Sequence, residues 1–387
     1  MTETTKRITF PVGYFDFHED VRINATLNMY YSTGVFDREE LEDIGKKIDS
    51  FETWISVFSD LAEKYKEAGE ILRAATCFRA AFFYCQDEDK KHILYESCRE
   101  LYDDYYGQIP YIKYEHIPCR SYTIPVYSAV HDISKGVILL HGGYDSIIQD
   151  FLGIMMYLYE TGYDVYFFEG DGQGEVLMRQ GIRMRPEWEH CTKAVIDHYS
   201  LDDVTLIGIS LGGYLAPRAA AYEKRISRVI MCDLVYDFYG AILDKMGSKG
   251  KLFDSMVNNP GHLLWRSVNK KLEKNYFTNW LLGQGRAIFE NVHTPCEYFE
   301  YIKRFNTREI SPMLTQDVLV LAGASDLYTI YYEDQLKALK NARSVTGRLF
   351  TEGECADHHC QIGNLQLVLD TIDNWIGSKT NGEKSNS

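Results

Sequence analysis

The sequence predicts an α/β architecture, a largely parallel sheet covered on both faces, and three observations carry that prediction. Beyond residue 116, short apolar and β-branched runs mostly alternate with helix-forming stretches of ten or more residues. That rhythm calls for right-handed βαβ crossovers. A long interval, Tyr236 to Ser311, carries helical patterns and no convincing strand. The chain before residue 116 is helical where it can be assigned at all.

Residues 1 to about 50 mix polar and aromatic side chains and yield no assignment. From Trp54, "WISVFSDLAEKYKEAGEILRAATCFRAAFFYCQDEDKKHILYESCRELYDDYY" repeats apolar residues at spacings of three and four, broken at Gly69 and at the Asp87 to Lys91 charge cluster. Three helices are expected there. A tetratricopeptide reading would need a second copy at a period of ~34 residues, and none is found. After "GQIP" the expected strands are "RSYTIPVYSAV", "KGVILLHGG", "DVYFFEGDG", "VTLIGIS", "ISRVIMCDLV", "VLVLAGASD" and "SVTGRLFTE". In open α/β sheets ligands bind beyond the strands' C-terminal edge, so the helical interval leaving that edge is expected to form a cap. It is rich in rings, Trp265, Trp280 and Phe289 among them. Most should pack the inserted helices together, and a few should face the pocket. The expected organisation is an N-terminal segment and helical domain (1–115), a core (116–235 and 312–377), a cap insertion (236–311) and a disordered polar tail (378–387, "SKTNGEKSNS").

The 45% hydrophobic and 25% charged content suits a globular protein, and no apolar run approaches the ~18 residues of a membrane span. A net charge of −15 opposes nucleic acid and anionic lipid as partners. "MTETTKRITFPVGYF" lacks the apolar segment of a secretory signal, and nine cysteines without framework spacing suit a reducing compartment, so a cytoplasmic location is expected.

The stretch "VTLIGISLGGYLAPRAAA" sets Ser210 between Gly208 and Gly212 where a strand pattern gives way to a helical one. If the chain reverses there within about two residues, the serine is strained and its hydroxyl is pushed outward as a nucleophile elbow. The bland alternative is a glycine-punctuated turn with an incidental serine. A nucleophile needs a base, a group to orient the base, and donors for the oxyanion. Asp326 ends "VLVLAGASD", and His359 in "GECADHHCQIGN" follows the next strand, which gives the chain order Ser, Asp, His of α/β-hydrolases. Asp326 could instead cap a helix, with Asp233 or Asp237 in its role. His358 and His359 cannot both enter one pocket if the loop is extended. Cys355, Asp357, His358, His359 and Cys360 crowd too closely in sequence to wrap one ion readily, so no metal is expected, and no cofactor either. "GVILLHGGYDS" supplies the second oxyanion donor: the Gly143 N–H can pair with that of Leu211, with Tyr144 as the fallback. "FFEGDGQGE" fails as a dinucleotide loop because Glu175 stands where a small residue is required, so that loop, like the one at His141, is expected to form a flexible pocket rim.

Through "LAEKYKEAGEILRAATCFRAAFF", "HGGYDSIIQD", "FEGDGQGE", "GISLGGYLAPRAAA", "GASD" and "HCQIGN", from about Trp54 to Ile376, the chain resembles α/β-hydrolases with an N-terminal helical domain. These include bacterial pseudo-oxynicotine-type carbon–carbon hydrolases and fungal hydrolases that shorten polyketide chains. The resemblance implies a triad of Ser210, Asp326 and His359, and it is what favours His359 over His358. Two departures stand out: Asp171 replaces the proline of the usual DGPGQG loop, and Gln149 with Asp150 replaces the usual acidic pair. The expected activity is cleavage of an ester or ketone-adjacent carbon–carbon bond in a small aromatic or apolar acyl compound, with that small molecule as partner and a homodimer left open. The alternatives are a peptidase or amidase of the same fold, and a catalytically silent binding protein.

Overall fold

The computed structural model describes residues 8–384, with side chains through residue 380. Five helices precede the sheet: α1 (Val21–Ser32), α2 (Arg38–Gly45), α3 (Phe51–Glu67), α4 (Ile71–Tyr84) and α5 (Glu88–Gly107). Asp20, Asp37, Ser50 and Asp87 cap α1, α2, α3 and α5 by accepting amide hydrogens of the first turn. The last three correspond to the three expected helices. The first two occupy the unassigned stretch, because α1 buries Asn24, Thr26, Asn28 and Ser32 on the face that a helical pattern would make apolar.

Eight strands follow: β1 (Lys113–Cys119), β2 (Tyr122–Ala129), β3 (Val137–His141), β4 (Asp164–Phe168), β5 (Val204–Ile209), β6 (Ile226–Cys232), β7 (Asp317–Gly323) and β8 (Ser344–Phe350). They order as β1-β2-β4-β3-β5-β6-β7-β8, with β1/β2 and β2/β4 antiparallel and every later pairing parallel. The edge strand β1 was not expected from the sequence. It contains Pro118 and buries only Ile117 and Cys119, which leaves no run of apolar residues to mark it.

Helices α6 (Leu152–Glu160), α7 (Gly174–Met178), α8 (Glu189–Tyr199) and α9 (Gly212–Tyr222) connect the middle strands. Between β6 and β7 come α10 (Phe238–Lys245), α11 (Gly250–Val257), α12 (Trp265–Lys274), α13 (Tyr276–Ile288) and α14 (Pro295–Ile302); α15 (Tyr332–Ala338) and α16 (Leu365–Lys384) complete the chain. Helix α16 corrects the expected tail: residues 378–384 continue the helix, and 385–387 lie outside the described residues.

Alternation along the strands divides the core. Ile138, Leu140, Val165, Phe167, Ile207 and Leu319 face α6, α16 and the N-terminal helices, while Leu139, Phe168, Leu206, Val229 and Val318 face α8, α9 and the inserted helices. The N-terminal helices are therefore continuous with one face of the sheet. No helix among the described residues is long and apolar enough to cross a membrane.

Candidate active site

The chain turns sharply between β5 and α9. Ser210 adopts φ 60°, in the left-handed region that disfavours a side chain, at a cost of about 1–3 kcal/mol. Its amide donates to the Cys232 carbonyl at 2.6 Å, which ties the strained residue to β6. A methyl group on Gly208 would lie 2.1 Å from the Gly212 carbonyl oxygen, so only glycine lets strand and helix approach this closely.

Three strand ends converge on Ser210. Its Oγ lies 2.9 Å from His359 Nε2, and His359 Nδ1 lies 3.0 Å from Asp326 Oδ2. The spacing suits an imidazole that donates from Nδ1 to the carboxylate and accepts the serine hydroxyl at Nε2. Asp326 Oδ1 also accepts the Leu327 amide at 2.6 Å, which fixes the carboxylate. His358 points elsewhere, its ring stacked on Tyr14 with centroids 3.7 Å apart. Asp237 caps α10 and pairs with Arg308, away from the histidine.

Asp233, at the end of β6, is fully buried with Oδ2 3.9 Å from His359 Nδ1, and it accepts the Cys360 amide at 3.1 Å. The two carboxylates divide their charge. Burial and the neighbouring Asp326 push Asp233 well above the ordinary carboxylate range. Burial also acts on Asp326, but the His359 charge and hydrogen bond outweigh it and hold Asp326 below that range. Burial depresses the imidazolium of His359, yet the Asp326 carboxylate and the Cys360 sulfur raise it well above its ordinary value.

Opposite the serine, a side chain on Gly143 would sit 2.6 Å from the Leu211 nitrogen, so the two amides border one small space. Neither amide meets an acceptor among the described residues. Gln173 Nε2 holds the Gly143 carbonyl at 2.9 Å and so fixes the direction of this loop. The Tyr144 ring instead packs against Phe289 and Phe238; Phe238 meets Tyr328, and Tyr328 lies 5.9 Å from the His359 ring. An aromatic wall thus runs from the inserted helices to the imidazole.

The glycine-rich loop after β4 does line a cavity, through Gly172 and Gly174, but buried side chains anchor it. Glu169, Asp171 and Gln173 are buried, and Glu169 accepts the amides of Ile148 at 2.8 Å and Glu175 at 2.7 Å. Its turn residues were legible as glycines, but the buried carboxylate that organises it was not. His141 is likewise internal, lowered to about 4 by burial.

Two groups of side chains could offer a metal three ligands among the described residues: Asp233 with Asp326 and His359, and Cys119 with His190 and Cys191. In the first, hydrogen bonds to Ser210 and the Cys360 amide already engage the donors. In the second, His190 pairs with Asp171 at 3.0 Å and the Tyr122 hydroxyl sits among the donors.

No protein-family model matches the chain. It is similar to a hydrolase, acrC, of Aspergillus aculeatus, with 30% identity over 207 residues that cover 50% of this chain and about half, 47%, of that protein. Hydrolase LUC6 of a Fusarium species is 27% identical over 353 residues, covering 78% of this chain and 77% of LUC6. The 20-hydroxy-prefusarin hydrolase FUS2 of Gibberella moniliformis is 26% identical, covering 84% and 88%. Among solved structures, 2,6-dihydroxy-pseudo-oxynicotine hydrolase superposes with a TM-score of 0.61 at 19% identity, covering 90% of this chain and 93% of that one. AbyA5 superposes with a TM-score of 0.66 at 16% identity, covering 89% of each. The chain has the α/β-hydrolase fold and resembles fungal hydrolases.

Proposed function

We propose that the protein is a serine hydrolase that cleaves an ester or a ketone-adjacent carbon–carbon bond in a small aromatic or apolar acyl compound. The observation that carries this reading is the unbroken hydrogen-bonded line Ser210–His359–Asp326 at a strained elbow. His359 Nε2 takes the Ser210 proton as Oγ attacks the substrate carbonyl, and Asp326 holds the imidazolium that forms. The Gly143 and Leu211 amides donate to the oxyanion of the tetrahedral intermediate. Collapse breaks the bond to the leaving group, which takes the proton from His359. An ester leaves as an alcohol; a carbon–carbon substrate leaves as an enolate, protonated to the ketone. Water, deprotonated by His359, then releases the acyl group from Ser210.

The rings of Tyr144, Phe238 and Tyr328 near His359 support an aromatic or apolar acyl group. A cytoplasmic setting belongs to the same proposal, supported by nine cysteines that form no disulfide. A fluorophosphonate probe and an aryl ester test the reading together. Ser210→Ala should lose labelling and, on the order of 10⁶-fold, turnover. His359→Ala should be nearly inactive, while His358→Ala keeps most activity. Labelling of Ser210→Ala, or the opposite ranking of the histidines, refutes the assignment.

A further inference from the structure

A cavity of about 630 Å³ lies between the α4–α5 corner, the loop immediately after Gly143 and helix α13. Asp145 and Ser146 line it on the loop side, and Trp280 on the helix side. Its charges are unevenly matched. Lys91 is only 5% exposed, and its Nζ donates to the neutral oxygen Oε1 of Gln284 at 2.8 Å. Arg183 Nη1 donates to the carbonyls of Phe289, at 3.0 Å, and Arg286. Arg286 Nε reaches the Leu282 carbonyl at 3.4 Å. Among the described residues, none of these three cations has a carboxylate within ion-pair distance. The cavity's own carboxylates, Glu88 and Asp145, act on Lys91 only from beyond ion-pair distance. Glu88 is exposed to solvent, and the charge that acts most strongly on Asp145 is Arg79, whose guanidinium also holds Asp150 at 2.9 Å.

A buried ammonium that meets an amide oxygen and the face of Phe82, 5.6 Å from the ring centroid, forgoes part of the stabilisation a close counter-charge would give. This chain carries 56 acidic residues, so carboxylates are not scarce. Two unpaired guanidinium groups at the mouth would also draw a small anion inward. We propose that this cavity receives a small molecule with an apolar body and an oxyanion, a carboxylate or the enolate of a 1,3-dicarbonyl, and that the oxyanion seats on Lys91. On the serine-hydrolase reading, this molecule is the substrate: its apolar body lies against Trp280, its charged end remains at α5, and the loop that follows Gly143 forms the wall nearest in sequence to the oxyanion donors.

Calorimetric titration of the Ser210→Ala protein tests this without requiring turnover. The probes are 4-phenylbutyrate, its neutral isostere 4-phenylbutyramide, and 1-phenyl-1,3-butanedione. The carboxylate should bind at least roughly tenfold more tightly than the amide. Lys91→Met should erase that preference and leave amide binding unchanged, and Lys91→Arg should retain part of it. Diketone binding that strengthens with pH and depends on Lys91 identifies the enolate as a source. Should Lys91→Met fail to fold, the Arg183→Gln/Arg286→Gln protein, altered only at exposed side chains, should lose at least about threefold of the preference. Equal affinity for carboxylate and amide, a preference that survives these substitutions, or no binding at millimolar probe overturns the proposal. A failure of the hydrolase reading would appear separately, in the fluorophosphonate experiment.

Discussion

Replacing Asp326 by alanine should cost less than removal of a triad acid usually does, because a second carboxylate stands in reserve. Asp326 Oδ2 lies 3.0 Å from His359 Nδ1, and Asp233 Oδ2 lies 3.9 Å from the same atom. With an effective dielectric of about 20, an ion pair at these two separations is worth about 5.5 and 4.3 kcal/mol, a difference of about 1.3 kcal/mol or roughly tenfold in rate. Burial and Asp326 both push Asp233 well above the ordinary carboxylate range, so loss of Asp326 removes one of those causes and favours ionisation of Asp233 beside the imidazolium. Poorer alignment over the longer distance adds a further loss. The expected outcome is a fall in kcat/KM of about 10² for Asp326→Ala and about 10⁴ for Asp326→Ala/Asp233→Asn, the loss expected when no carboxylate orients the base. The assay is aryl-ester hydrolysis normalised by fluorophosphonate titration of intact sites. A single variant already down by about 10⁴, with no further effect of the second substitution, would refute the reserve role of Asp233.

The pH profile follows from the same pair. His359 must be neutral to act as a base, and the Asp326 carboxylate outweighs burial to raise it, so kcat/KM should fall as pH drops through a midpoint above 6.5; Asp326→Ala should move that midpoint down. A wild-type midpoint below 6.5 contradicts the electrostatic account. At the elbow, Gly208→Ala places a methyl 2.1 Å from the Gly212 carbonyl oxygen and should destabilise folding by at least about 1–3 kcal/mol. Urea denaturation checks this, and a change within about 0.5 kcal/mol would show that the turn yields.

The sheet from β2 to β8 was legible because its strands are short apolar runs separated by helical spacing; strand ends pointed to Ser210, to Asp326 among three aspartates and to the His358–His359 pair, and the resemblance chose His359. Helix α1 was hidden by chemistry: Asn24 accepts the amides of Phe17 and His18, and Asn28 brackets Phe15 at 2.8 Å through both its amide atoms, so polar side chains fill an inward face. The direction of His358 depends on Tyr14, far away in sequence, and no local pattern reports such a contact. Lys91 fits the helical pattern as an ordinary charged residue. Its burial arises only when α13 delivers Gln284 to it.

The cavity's walls come from residues 82–92, 145–147, 172–183 and 279–288, segments that meet only in the folded chain. On the proposed reading, chemical competence and molecular selectivity therefore have separate addresses in this protein. A chain trimmed to begin at residue 108 would retain every group that touches the Ser210 hydroxyl but lose the wall that holds Lys91. Such a fragment, if it folds, would be an indiscriminate reagent. If both proposals hold, changes confined to α4 and α5 would alter what is cleaved without altering how.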